Sequence, residues 1–262
     1  MGLVADQIAI SISDGSKTEP NQRSLYLQII MVTSLCVKKF YDVIQFPGHY
    51  DLDQVRYHLS EIQNPYLQII DQSLASSSSV LDVGCGTGFI SNFFATKYPQ
   101  TRVVGIDFSD SINHAIAYAQ TNELYNVDFV KTDFLDYRFD QKFDLVICQG
   151  VLHHIPEFDV AVAKLKDLVH HDAELCLGLY HPWGKIAKKY FKIRYDDNIL
   201  MLDQEHHVFE TAYTMQEVLD HFCEFDLIGH YPPARGVWSN LSALINSQNG
   251  GLITYRFKKR RQ

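Results

Sequence analysis

Val80-Leu81-Asp82-Val83-Gly84-Cys85-Gly86-Thr87-Gly88 is the stretch on which the reading of this chain turns. Val80 to Val83 is short, apolar and β-branched, the signature of a buried strand. Three glycines at alternate positions then bend the chain sharply. Phe89, Ile90, Phe93 and Phe94 follow at helical spacing, so a helix starts at the turn. A strand, a glycine turn and a helix in this order are expected to aim free backbone N–H groups and the positive end of a helix dipole at one point. That point would seat an anion or a polar ligand beyond the carboxyl end of the strand.

The spacing narrows the ligand. A dinucleotide fingerprint is G-x-G-x-x-G. Here Phe89 stands where the third glycine of that pattern belongs, and the chain has G-x-G-x-G instead. Further strands are expected over Thr101–Asp107, Val127–Lys131 and Phe143–Cys148. The first ends in Asp107, whose carboxylate could accept both hydroxyls of a ribose. The second leads to Thr132-Asp133-Phe134, and the third to Gln149-Gly150-Val151-Leu152-His153-His154-Ile155. Strands alternating with helices predict a parallel sheet covered on both faces, with ligands at the carboxyl ends of its strands.

With four motifs in this order, the chain resembles the class I S-adenosylmethionine-dependent methyltransferases over roughly Val80 to Tyr180, with a weaker continuation to the C-terminus. The resemblance implies an α/β fold: a Rossmann-like seven-stranded methyltransferase sheet, mostly parallel with an antiparallel last strand, plus an N-terminal helical cap. It implies S-adenosyl-L-methionine as cofactor and S-adenosyl-L-homocysteine as product. Gly84, Cys85, Gly86 and Gly88 would form the cofactor loop, the first three under the methionine part, with Asp82 near its amino group. Asp107 would bind the ribose hydroxyls and Phe108 would lie against the adenine. Asp133 would accept from the adenine amino group beside Phe134, and Gln149 and Gly150 would line the sulfur. Each has a plainer alternative: Asp133 could cap a turn, and Phe134 could be core.

Composition sets outer limits. A chain of 262 residues suits one domain with additions. The net charge of −8 sets the surface against nucleic acid. The basic run Lys258-Lys259-Arg260-Arg261 reads as a solvated tail. Five scattered cysteines without a C-x-x-C pair point to a reducing, cytoplasmic compartment. Met1 to Pro20 lacks the basic start and apolar stretch of a secretory leader. Leu25 to Val37 is too short and too interrupted to cross a bilayer, so no membrane role is expected.

Residues 1–75 read as an arm and a helical cap, and residues 76–262 as the Rossmann-like domain. The first part, Met1 to Asn21, is polar and loose. Leu25 to Phe40 is a helix apolar almost all round, suited to cover the cofactor site or to pair two copies into a homodimer. Tyr41, His49 and Tyr50 flank a Pro-Gly turn and are candidate substrate or lid residues, or simply aromatic packing. Val55, Leu59 and Ile62 mark a second helix, and Asn64-Pro65 opens a third. The serine run Ser76 to Ser79 reads as a linker. Within the domain, Ser109 and Pro156 open helices, and Ala173 to Tyr180 is the fifth strand. Residues 181–213 break the rhythm and read as a substrate-facing insertion. Thr214-Met215-Gln216-Glu217 is a capping box. Phe225 to Tyr231 and Leu252 to Phe257 are the last strands.

Methyl transfer needs alignment, exclusion of water and, for an O–H or N–H acceptor, a place for a proton. His153, His154, Tyr180 and His181 lie beyond the fourth and fifth strands and are the candidate catalytic residues, although His153 and His154 could equally shape the entry to the next helix. His206 and His207 beside Glu205 lack the usual zinc spacing, and no metal is expected. The negative surface and aromatic cap favour a small-molecule acceptor, ahead of a protein or tRNA. A non-catalytic cofactor-binding scaffold and an NAD-linked oxidoreductase are the competing readings.

Overall fold

Alternation of apolar side chains along the strands builds two cores from one sheet. In β1 (Ser79–Val83), Leu81 and Val83 pack into one core and Val80 into the other. In β4 (Phe143–Gln149), Val146 and Cys148 face the first core, and Leu145 and Ile147 the second. A strand buried on both faces needs both residue sets apolar, which is why these segments read as continuous apolar runs. The computed structural model describes residues 20–46, 48–51, 53–55, 57, 65–184, 209–232 and 251–261.

Seven strands form one sheet in the order β3-β2-β1-β4-β5-β7-β6. The remaining strands are β2 (Arg102–Asp107), β3 (Val127–Lys131), β5 (Val169–Tyr180), β6 (Phe225–Tyr231) and β7 (Leu252–Lys259). β1 runs parallel to β2 and β4, whereas β7 is antiparallel to both β5 and β6. The expected mostly parallel seven-stranded sheet with an antiparallel last strand is therefore the one found. The chain winds outward from β1 to β3, then returns to place β4 on the other side of β1. The carboxyl ends of β1 and β4 consequently flank a crevice at the switch point.

The helices are α1 (Pro20–Val43), α2 (Pro65–Leu74), α3 (Phe89–Lys97), α4 (Ile112–Thr121), α5 (Phe158–Leu168) and α6 (Met215–His221). α5 and α6 cover the first core through Ala161, Val162, Leu165 and Val218. α2 and α3 cover the second through Leu67, Ile70, Phe93 and Phe94.

Several sequence expectations shift. α1 starts at Pro20 rather than Leu25, and α5 starts two residues after Pro156. β5 begins at Val169, four residues before the expected start at Ala173. Ser109 sits short of α4: its hydroxyl accepts from the Ser111 N–H (3.3 Å), and Ser111 is the N-cap. α2, read as part of the cap, packs on the sheet, and Arg256 of β7 fixes it there. The Arg256 guanidinium forks onto Glu174 (2.7 and 3.1 Å) and donates to Gln72 of α2 (2.9 Å). The serine run is no loose linker at its end: the Asp144 carboxylate accepts from the backbone and hydroxyl of both Ser78 and Ser79. The basic run at the C-terminus is also tied down. Lys259 donates to the carbonyls of Lys166 and Val169, and Arg261 pairs with Asp172. Residues 1–19 of the arm, Leu59, Ile62, Asn64 and residues 185–208 of the insertion lie outside the described residues.

The capping box is present at α6. The Thr214 hydroxyl accepts from the Glu217 N–H (3.3 Å), and the Glu217 carboxylate accepts from the Thr214 N–H (2.7 Å). Thr214→Ala is expected to lower the stability by about 1 kcal/mol. Urea unfolding monitored by circular dichroism measures it, and an unchanged midpoint would show that the cap contributes nothing.

Candidate active site

Gly84, Gly86 and Gly88 all take positive φ (68°, 55° and 79°), so the turn after β1 is as tight as its sequence suggests. The expected set of free N–H groups is not there. Gly84 and Cys85 both donate to the Ile106 carbonyl (2.8 and 3.0 Å). Gly86 donates to the Asp107 carboxylate (2.8 Å), Thr87 to the Phe46 carbonyl (3.1 Å), and Gly88 to the Cys85 carbonyl (2.8 Å). All five amides of the turn are spent inside the protein. The turn is a flat seat of backbone, not a cradle for phosphate.

The segment after α1 closes over this seat. A Cβ on Gly86 would lie 2.4 Å from the Phe46 carbonyl oxygen, so only glycine admits the segment here. Tyr50 continues the contact: its hydroxyl donates to the Thr87 carbonyl (3.0 Å) and accepts from the Asn92 amide (2.7 Å). Burial pushes the Tyr50 phenol well above its ordinary pKa. Gly88 does something else. It is the N-cap of α3, a Cβ there would strike Ala115, and it does not line the cavity. Cys85 turns its thiol into a small core with Ile112 and Ala115, leaving its backbone on the cavity wall.

Three carboxylates stand at the ends of strands. Asp107, at the end of β2, accepts from Gly86 N–H on one oxygen and from the Ser109 N–H and hydroxyl on the other (2.8 and 2.6 Å). A carboxylate has about four acceptor positions, so roughly one remains for a ligand. Burial raises the Asp107 pKa, and these hydrogen bonds pull against it. Asp82, within β1, is 2% exposed and accepts from the Ser91 hydroxyl (2.6 Å). Its burial, opposed by that bond and reinforced by Asp107, pushes its pKa up to about 7. Asp133 caps a turn by accepting from the Leu135 N–H (2.8 Å) and also lines the cavity. Phe134 is likewise both core and wall.

These residues enclose a cavity of about 920 Å³. Asp82, Gly84, Cys85, Gly86, Asp107, Phe108, Asp133, Phe134, Gln149 and Gly150 all line it. So do Tyr41, His49, Tyr50, His154 and Tyr180. His153 and His181 do not. His153 is fully buried behind His154, its ring 4.5 Å from that of Tyr180. His181 is 2% exposed, and its Nδ1 accepts from the Trp183 N–H (3.2 Å). Neither is placed to touch a molecule in the cavity. Sequence reading missed Ile30, Met31 and Val37 of α1, and Phe46, Asp136 and Glu157. The apolar surplus of α1 was the available signal for the first three. Among the described lining residues, five carry carboxylates and none is lysine or arginine.

His153, His154 and Glu210 each bring one ligand-type atom within 4.8 Å of the others. Both ring nitrogens of His154 are already engaged, by Tyr41 Oη (3.1 Å) and the Phe209 carbonyl (3.0 Å). Among the described residues no helix is long and apolar enough to cross a membrane.

A family profile described as "Methyltransferase domain" matches residues 74–225, more than half of the chain. The chain belongs to this methyltransferase-domain family. Among curated relatives, it is 26% identical over 166 residues to a malonyl-[acyl-carrier protein] O-methyltransferase of Acetivibrio thermocellus, covering 63% of this chain and 57% of that protein. It is 27% identical over 126 residues to a probable (S)-tetrahydroprotoberberine N-methyltransferase of Papaver bracteatum, covering 48% of this chain and 35% of that one. The chain therefore spans only about a third to somewhat over half of these relatives. Its fold is similar to that of a Burkholderia thailandensis 1,6-didemethyltoxoflavin-N1-methyltransferase crystallised with bound 1,6-didemethyltoxoflavin and S-adenosylhomocysteine. The TM-score is 0.57 at 15% identity, covering 95% and 93% of the two chains.

Two outcomes follow from the geometry. Gly86→Ala forces a side chain against the Phe46 carbonyl at a positive φ, and is expected to cost about 1–3 kcal/mol and to speed hydrogen exchange at the Thr87 amide. Unchanged exchange there would mean that the segment does not rest on this loop. The second concerns Asp82. Its pKa is about 3.8 in the unfolded chain and about 7 when folded. The folded state thus holds the proton more tightly, and stability falls as pH rises from about 4 to about 7. Asp82→Asn should flatten that part of the fall in chemical-denaturation midpoints, and an identical slope in both proteins would refute the assignment.

Proposed function

We propose that this protein transfers a methyl group from S-adenosyl-L-methionine to a small-molecule acceptor. The observation that carries the reading is the satisfied glycine turn. A ligand seated there cannot present phosphates, because all five amides already have acceptors and the lining residues described include no cation. That speaks against a pyrophosphate-bearing dinucleotide. It suits a nucleoside donor whose own charges include an ammonium and a sulfonium.

The residues present fit such a donor. Asp107 retains about one acceptor position for a ribose hydroxyl. Asp82, Phe108, Asp133, Gln149 and Gly150 line the cavity; in this reading Asp133 and Phe108 take the adenine, Asp82 the ammonium, and Gln149 and Gly150 the sulfur. When bound, the donor supplies the activated methyl group. The chain supplies alignment, worth about 7–11 kcal/mol in favourable cases, and a lid of aromatic residues that keeps water out. A cavity of about 920 Å³ is at the upper end of small-molecule sites, roughly 300–1,000 Å³, which leaves room for an acceptor beside the donor. In this reading α1 and the segment after it supply the cap, and α2, which packs on the sheet, belongs with the catalytic domain. The exposed Met31, Val32 and Leu35 of α1 support pairing of two copies through that helix, and five free cysteines suit a cytoplasmic setting.

S-adenosylhomocysteine is expected to raise the melting temperature at micromolar concentration, while NAD produces no shift. Asp107→Asn should weaken the binding by about tenfold or more, the loss of one charge-assisted hydrogen bond. Ammonium placed beside Asp82 favours its ionised form, so binding at about pH 6 should release a proton, measurable by calorimetry in buffers of different ionisation enthalpy. A shift with NAD but none with S-adenosylhomocysteine would overturn the proposal.

A further inference from the structure

One polar pair stands on the cavity wall apart from the residues assigned above to the nucleoside. Tyr41, in the last turn of α1, and His154, after β4, both line the cavity, and Tyr41 Oη lies 3.1 Å from His154 Nε2. The other ring nitrogen, Nδ1, lies 3.0 Å from the Phe209 carbonyl oxygen. A carbonyl can only accept, so Nδ1 carries the proton. In the neutral ring Nε2 then holds the lone pair and accepts from the Tyr41 hydroxyl. This orientation leaves the imidazole ready to take a proton through the phenol.

The end of α1 that carries Tyr41 is held by the turn before α4. The Ser111 hydroxyl donates to the Tyr41 carbonyl (3.1 Å), and the Asp110 N–H to the Asp42 carboxylate (2.8 Å). Among the described residues, the titratable groups near His154 include His153, with ring centroids 4.0 Å apart, Glu210, within 4.8 Å, and Tyr180 beyond His153. The carboxyl groups lining the cavity are those of Asp82, Asp107, Asp133, Asp136 and Glu157, with no lysine or arginine among the described residues. A carboxylate or phosphate acceptor would be repelled there. A protonated amine would be drawn in, but without a lone pair it cannot attack.

We propose that Tyr41 and His154 form a proton-accepting pair that readies an amine acceptor for methylation, an inference that rests on the methyltransferase reading above. One ammonium proton passes to Tyr41 Oη as the phenol's own proton passes to His154 Nε2. The freed nitrogen lone pair forms the N–C bond to the methyl carbon while the donor's C–S bond breaks and its electron pair stays on sulfur. The imidazolium returns its proton to water once the product has left.

The test uses the full chain loaded with S-adenosylhomocysteine and ¹⁵N-labelled at histidine. Long-range ¹H–¹⁵N spectra at about pH 8 should show His154 protonated at Nδ1 and bare at Nε2. In Tyr41→Phe the loss of the donated hydrogen bond should move the His154 titration midpoint upward. An Nε2–H tautomer, or a midpoint indifferent to Tyr41→Phe, overturns the pair. Calorimetry with benzylamine and benzoate as probes tests the acceptor class. Benzylamine should bind the loaded protein at least about tenfold more tightly than benzoate, and equal binding, or none by either at millimolar concentration, overturns the amine assignment. With an acceptor amine in hand, Tyr41→Phe and His154→Gln should slow turnover by about 10²–10⁴-fold with S-adenosylhomocysteine affinity retained, and an undiminished rate contradicts the pair. Loss of homocysteine-product binding in the unaltered protein would instead count against the methyltransferase reading itself.

Discussion

The site is built round a buried carboxylate. Asp107 ends β2, is 8% exposed, and uses one oxygen to hold Gly86 and the other to hold Ser109. It thereby fixes two turns, one after β1 and one before α4, at the distance that leaves a hollow between them. Burial makes that charge expensive, and the three donated hydrogen bonds are what stabilise it. The cost is an amide lost to outside ligands: Gly86 cannot both hold Asp107 and receive a phosphate. One interaction therefore shapes the cavity and restricts what enters it.

The N-terminal cap is bound to the same turn rather than hinged above it. The Phe46 carbonyl occupies the space that a side chain at position 86 would need, and Tyr50 ties the segment to Thr87 and Asn92. The last turn of α1 docks on residues 110 and 111, just past Asp107. Cap and glycine turn are thus one structure, and the pair of Tyr41 with His154 exists only because the cap is in place. The carboxylates of the lining then act on whatever the cap encloses, favouring cations over anions in a site of low dielectric.

Much of this was legible in the chain. The apolar runs Val80–Val83 and Phe143–Cys148 marked the central strands, because a strand buried on two faces has little freedom in composition. The glycines gave the turn, and Thr214 with Glu217 gave the start of α6. What could not be read is where backbone groups find partners. Free amides were expected at the glycine turn, yet Ile106 and Phe46 supply carbonyls to them, and nothing local marks a carbonyl as an acceptor. Tyr41 and His154 stand 113 residues apart, so neither announces the other. His153, His154 and His181 all follow strand ends and all three are buried, and only packing brings His154 alone of them to the cavity wall.

The central claim is that the glycine turn keeps its own amides and holds its ligand by carboxylates and shape. A crystal structure of the complex with S-adenosylhomocysteine tests it directly. The account predicts that Gly86 still donates to Asp107 and Thr87 to the Phe46 carbonyl, with no ligand oxygen within hydrogen-bonding distance of the amides from Gly84 to Gly88. A ligand carboxylate seated on those amides, with the Phe46 segment displaced, would contradict it.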